Sequence, residues 1–262
     1  MIQSHECFEA PSDHSIALWR YMDFSKFVDL VFSSELHFAR SDLLGDPFEG
    51  ALPETHAKAW DALLQASLGE NRAERLPTGW ADMTHEQIIE FGNMQTRAGR
   101  QFRQMMFISC WHMNEYESAG MWSLYSKTNE SICIQTRYNL IAEELPDSSY
   151  LGVVKYINYE HDLIDLGNIF HRFLHKRKSF EHEREIRSIL LSANGRPPKE
   201  DSRIIYSNDH ARVKVDLSKI CESIYVNPNS PRWFANLVEQ VVAKAGLRIP
   251  VRQSSLARDP IF

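Results

Sequence analysis

The chain has 262 residues, 43% hydrophobic and 24% charged, with a formal net charge of −6. That is the composition of a globular protein with enough chain to bury a sizeable core. It excludes a protein held to nucleic acid or anionic membrane by overall charge, and no run approaches the roughly 20 apolar residues of a membrane-spanning helix. The opening MIQSHECFEAPSDHS has no basic segment leading into an apolar one, so no secretory signal is expected. Cys7, Cys110, Cys133 and Cys221 are widely spaced, with no C-x-x-C pair. They are expected to be free thiols in a reducing cytoplasm.

Residues 1–17 read as an N-terminal tail. LWRYM at 18–22 is short and aromatic and predicts a strand. Asp23 or Ser25 then caps a helix whose apolar stripe is Phe24, Phe27, Val28, Val31 and Phe32. ELHFAR at 35–40 alternates and predicts a second strand. SDLLGDPFEG at 41–50 is a loop that points the carboxylates of Asp46 and Glu49 outward. Residues 56–106 are polar with weak helical periodicity, broken by LPTGW, and predict a helical insertion of two or three helices, either a packed layer or a lid. MFISCW is a buried strand, SAGMWSLYS a helix, and SICIQT and GVVKYINY are strands. Residues 163–180 predict a helix carrying HKRK. EIRSILLS, RVKVDLS and SIYVNP are strands. PRWFANLVEQVVAKAG is a helix with proline at its start and glycine at its stop, and LRIPV is a last strand. The order is α+β: one domain, 1–262, with a mixed, mainly antiparallel sheet. No glycine-rich turn follows a strand, which argues against a doubly wound nucleotide fold.

The phosphate loop G-x-x-x-x-G-K-[ST], the G-x-S-x-G elbow and H-E-x-x-H are all missing. His171 and His175 share a helical face at a spacing that permits a metal, but no acid lies between them as in a zinc protease, and no metal is expected. FEHEREIR at 180–187 is the leading candidate for chemistry. Its glutamates Glu181, Glu183 and Glu185 alternate, and on an extended chain they point to one face. Lys176, Arg177, Lys178, Arg184 and Arg187 are close enough in sequence to hold them. Clustered carboxylates push one pKa upward, which suits acid–base or electrostatic work. Arg20, on an apolar first strand, needs either a carboxylate such as Glu183 or Glu185, or the phosphate of a ligand. Ser109, Trp111 and Tyr125 are pocket candidates, the rings offering a stacking surface for a flat ligand; Phe107, Ile108, Met121 and Leu124 are core candidates.

LWRYM, HFARSDLLGDPFEG, FISCWHMNEYESAGMWSLYSKTNESICIQT and KRKSFEHEREIRSIL together resemble a bacterial family known only as domain of unknown function 2971. That resemblance covers most of 18–192 and carries no activity. The chain is also similar, more distantly, to ADP-ribosyltransferases. These place an arginine or histidine on a first strand, a serine or aromatic on a middle strand and a glutamate at a later strand around NAD. The similarity implies Arg20 and Tyr21, then Ser109 with Trp111 and Tyr125, as NAD-binding residues, and Glu183 or Glu185 as the catalytic glutamate. It departs from that class in reading I-S-C-W where the class has S-T-S. It implies an NAD-consuming enzyme, a transferase or glycohydrolase, of the kind found in toxins and phage-defence effectors. Two other readings stand beside it. One is a non-catalytic sensor or binding module working with a protein partner. The other is a nuclease whose Asp46, Glu49, Glu183 and Glu185 hold Mg²⁺.

Overall fold

A computed structural model describes residues 2–69, 71–192, 200–258 and 260–261. Strand β1 (Ala17–Asp23) leads through α1 (Phe24–Ser33) into β2 (Glu35–Arg40). The helical segment holds α2 (Glu54–Leu68), α3 (Arg72–Arg75) and α4 (His85–Met105). Next come β3 (Met106–Met113), α5 (Ala119–Tyr125), β4 (Ser131–Arg137), α6 (Tyr138–Glu144), β5 (Ser149–Val153), β6 (Lys155–Ile157), α7 (His171–Leu174), β7 (His175–Arg177) and β8 (Glu185–Leu191). The chain continues with β9 (Ile204–Tyr206), β10 (His210–Lys214), α8 (Leu217–Ile220), β11 (Ser223–Val226), α9 (Arg232–Lys244) and β12 (Val251–Gln253). The class is α+β, with a mixed and mostly antiparallel sheet of ten strands.

That sheet forks. β8 and β5 extend one edge of β3 without interruption, Met106 to His112 pairing with Leu191 to Glu185. The other edge of β3 is shared. β1 pairs only at Leu18↔Met113 and Trp19↔His112, and β2 only at Ala39↔Ile108 and Arg40↔Phe107. Between them, Ser109, Cys110 and Trp111 have no ladder partner on this edge among the described residues. From the fork, β1 carries β4, β11 and β12, while β2 carries β10 and β9. The main core lies under both branches, where Leu18, Phe27, Phe38, Trp111, Ile132, Ile186, Val213, Phe234 and Val238 are buried together.

Local chemistry accounts for most helices. In α1 the buried stripe is Phe27, Leu30 and Val31, whereas Phe32 is exposed. Thr84 and Gln87 form a reciprocal capping box at the start of α4. Pro231 precedes α9, and Gly246, at φ +76, ends it in the left-handed region that glycine enters without strain. The 56–106 insertion is the layer α2–α4. Trp60, Trp80 and Phe91 pack ring against ring, and a Cβ on Gly92 would meet the Trp60 ring at 2.2 Å. The N-terminal residues run along β5: Gln3 N–H donates to Ser149 O, Val153 N–H to Glu9 O, and Phe8 stacks on Tyr150.

Three expected elements differ. The helix over 163–180 shrinks to α7, followed by β7 and a 3-10 turn at Lys178–Glu183. Ile164, Phe170, Phe173 and Leu174 are buried while Leu163 and Leu166 are exposed, and parallel pairing of β7 with β6 takes the basic run out of the helix. The strand over 152–159 divides, because Val154 N–H turns to Glu185 O and β6 leaves the main sheet for β7. The last strand starts at Val251, after Pro250, whose carbonyl accepts from Ile224 N–H. Cys7, Cys110, Cys133 and Cys221 are free thiols. No helix among the described residues is long and apolar enough to cross a membrane.

Candidate active site

Where β1 leaves β3, a cleft of about 800 Å³ opens, within the range of small-molecule sites. Its walls are β1 and α5 on one side and the 44–49 loop with the β7–β8 connection on the other. β3 forms the floor. No residue of α2–α4 lines it, so the helical layer does not cover this cleft.

Arg20 crosses the fork. Its Nη1 donates to Ser109 Oγ at 2.9 Å and its Nη2 to the His37 carbonyl at 2.8 Å. The guanidinium lies 5.4 Å from the Trp111 ring centre. The three strands that meet at the fork are thus joined through one side chain. The expected pairing of Arg20 with Glu183 or Glu185 does not occur, because those carboxylates are taken by other cations. Among the described residues no carboxylate pairs with Arg20, and burial holds its pKa below the usual value. His37 is held down to about 4 by burial and by the charge of Arg20, so it is neutral.

The acidic wall is built differently from the expected run of alternating glutamates. Residues 178–183 form a 3-10 turn that ends at Arg184, a non-glycine residue at φ 42. Only then does β8 begin. Glu181 is left in solvent, while Glu183 and Glu185 fold back onto Lys176. Its Nζ bonds Glu183 Oε2, and Glu185 Oε1 at 2.6 Å. Arg187 Nε donates to Glu185 Oε2 at 2.5 Å, and its Nη1 and Nη2 hold Glu49 at 2.5 and 2.8 Å. A further bond from Nη1 reaches the Phe173 carbonyl at 2.7 Å. Asp46 and Glu49, expected to point outward, point inward: Asp46 pairs with Arg177 at 2.8 Å, and Glu49 is 3% exposed. A loop carboxylate has no helical or strand period to betray its direction, and here the buried Arg187 and the half-buried Arg177 set it.

Two cations, Lys176 and Arg187, therefore serve three carboxylates, Glu49, Glu183 and Glu185. One negative charge is in excess, and the excess falls on Glu183. Burial and the charge of Glu185 raise its pKa to about 7. Burial alone would raise Glu185 too, but Arg187 and Lys176 outweigh it and hold Glu185 well below the usual carboxylate range. The same partners keep Lys176 and Arg187 charged despite burial.

Tyr125, 43% exposed, sits at the cleft rim with its hydroxyl donating to Glu183 Oε1 at 3.4 Å. Tyr21 also lines the cleft, but its hydroxyl accepts from Ser118 N–H at 2.8 Å, docking the start of α5. Trp111 is 2% exposed and belongs to the main core as well as to the cleft floor. Ser109 is 1% exposed and reaches the cleft only through Arg20. Leu124, expected in the core, is 58% exposed. Its place on the last turn of α5 turns it to the rim.

His112, Lys176 and Arg187 complete the site. The cations were visible in sequence as neighbours of the glutamates. His112 gave no signal beyond its place on β3. Its Nδ1–H donates to the Glu183 carbonyl at 2.6 Å, burial lowers its pKa, and its Nε2 has no partner among the described residues. His171 and His175 lie outside the cleft, and no group of three or more metal-ligating side chains is found among the described residues. Compared with family models, with curated proteins and with solved structures, the chain matches none.

Proposed function

We propose that the cleft binds NAD and cleaves its nicotinamide–ribose bond, passing ADP-ribose to water or to an acceptor, as the similarity to ADP-ribosyltransferases implies. One observation carries this reading. Among the described residues, an arginine with no carboxylate partner and an acidic cluster with one carboxylate in excess line the same cleft. The first suits a diphosphate, which the guanidinium fork binds through charge-assisted hydrogen bonds. The second suits a ribose that turns cationic as its glycosidic bond breaks.

On this reading Glu183 is the working carboxylate and Glu185 its anchor, since both Glu185 oxygens are held by buried cations. The C1′–N bond breaks, and nicotinamide leaves neutral with the electron pair. Positive charge spreads over C1′ and the ring oxygen beside ionised Glu183. An acceptor oxygen then adds at C1′ and releases its proton. The nuclease reading finds less support, because each of its four carboxylates is already bound by a lysine or arginine.

Incubation of the purified protein with NAD is expected to release nicotinamide, and Glu183→Gln to slow release by about 10²–10³-fold, as for loss of one preorganised electrostatic contact. Circular dichroism of the variant should match the wild type. A wild-type protein that leaves NAD intact, or a Glu183→Gln protein with full turnover, overturns the proposal.

A further inference from the structure

A second uncompensated arginine lies outside the cleft. Arg172, in α7, is 8% exposed. It makes no hydrogen bond and no ion pair among the described residues, and burial is the influence that lowers its pKa. Burying a guanidinium this way is costly unless an anion joins it. Its nitrogens keep some solvent-facing area, since none of them is both sealed and unpartnered.

Its surroundings are built to hold it. α4 has a glycine, Gly99, where it passes: a Cβ there would lie 2.9 Å from Arg172 Nη1, so the guanidinium rests on the bare helix backbone. One turn along α4 is Arg103, whose Nε is buried without a partner. A Cβ on Gly50 would meet the Phe173 ring at 2.5 Å and Arg103 Cγ at 3.1 Å, so both arginines belong to one seam between α4 and α7. His56, from α2, adds a neutral ring. Burial and the charge of Arg172 lower its pKa, and its Nε2 accepts from Ile164 N–H at 3.0 Å, which places its proton on Nδ1. Arg172, with no carboxylate partner among the described residues, offers its guanidinium fork to a tetrahedral oxyanion, with the Arg103 stem on the next turn of α4 and the neutral His56 ring in its surroundings.

We propose that the seam between α4 and α7 is a phosphate-binding site for a small phosphorylated ligand, with Arg172 as its principal donor and Arg103 beside it. The site is independent of the reading of the cleft, whose lining includes none of Arg172, Arg103, Gly99 and His56.

The test is thermal unfolding at constant ionic strength with inorganic phosphate or pyrophosphate, in Arg20→Gln protein so that the cleft arginine is silent. A saturable rise in Tm is expected, and Arg172→Met in the same background should abolish it. Should that double variant fold poorly, Arg172→Lys keeps the charge but not the fork, and the apparent Kd should rise roughly tenfold or more. No rise in Arg20→Gln protein, an equal rise with Arg172→Met, or an unchanged Kd with Arg172→Lys overturns the site. If pyrophosphate alone acts, the ligand carries a diphosphate; if both act, a single phosphate suffices.

Discussion

Arg187 and Arg20 line the same cleft in opposite electrostatic company. Arg187 holds Glu49 through two bonds, Glu185 through a third and the Phe173 carbonyl through a fourth. Arg20 holds a hydroxyl and a carbonyl and, among the described residues, no carboxylate. A neutralised arginine fixes the parts around it, because its partners would be stranded in a poorly solvated interior without it. An unneutralised one keeps a charge to offer a ligand. The difference separates scaffold from proposed binding surface within one cleft, and it can be broken experimentally.

The largest expected effect is at Arg187. Replacement by methionine leaves Glu49 and Glu185 short of a buried counter-ion and should cost about 3–5 kcal/mol of stability, read from urea unfolding with NAD absent. A loss below about 1 kcal/mol would erase the contrast. Arg20→Gln should act the other way round. Stability is expected to stay within about 1 kcal/mol of wild type, since neutral hydrogen bonds are lost together with the burden of a buried charge, while the KM for NAD rises roughly 10–100-fold. A protein that unfolds as Arg187→Met does would place Arg20 in the scaffold.

The smallest effect is a pH dependence. Glu183 has a folded pKa raised to about 7, above the roughly 4.3 of a free glutamate. Below the unfolded value both states hold the proton and its contribution is intact. Between that value and about 7 the unfolded chain ionises first, so stability declines as pH rises, and Glu183→Gln should flatten that decline. Glu185, depressed, acts in the opposite sense and loses its contribution as pH falls toward its folded pKa. Nicotinamide release should climb through an inflection near pH 7 as Glu183 ionises, and a flat profile from pH 6 to 8 would remove its role.

Short-range patterns were legible in the sequence and long-range ones were not. ELHFAR is β2 residue for residue, and the proline-to-glycine frame of α9 is read directly because caps and periods are local. The α+β class and the helical layer follow from the same signals. The fork is not legible, since nothing in FISCWHM tells that two different strands share one of its edges. Nor is the turn at Arg184, where a left-handed residue rearranges three evenly spaced glutamates. For Arg20 the need for an anion was evident from burial, but the choice between carboxylate and ligand rests on where Lys176 and Arg187 stand. Arg172 carried no sign at all, because its isolation depends on three helices meeting around it.

The two rims of the cleft are fastened unequally. The 44–49 loop is bolted by Glu49 on Arg187 and by Asp46 on Arg177, whose guanidinium also lies 4.2 Å from the Phe48 ring centre. The start of α5 is docked by Tyr21 and its Met121 and Trp122 are buried, but at its far end the rim reaches the acidic wall through the Tyr125 hydroxyl on Glu183 at 3.4 Å, with Leu124 exposed and Tyr125 43% exposed. Side chains in such positions swing on the nanosecond scale, whereas parting buried ion pairs is far slower. On the proposed reading of the cleft, a ligand meets a movable tyrosine side chain on one rim and a fixed loop on the other. On that reading, displacing the Tyr125 hydroxyl frees a Glu183 oxygen as the ligand enters.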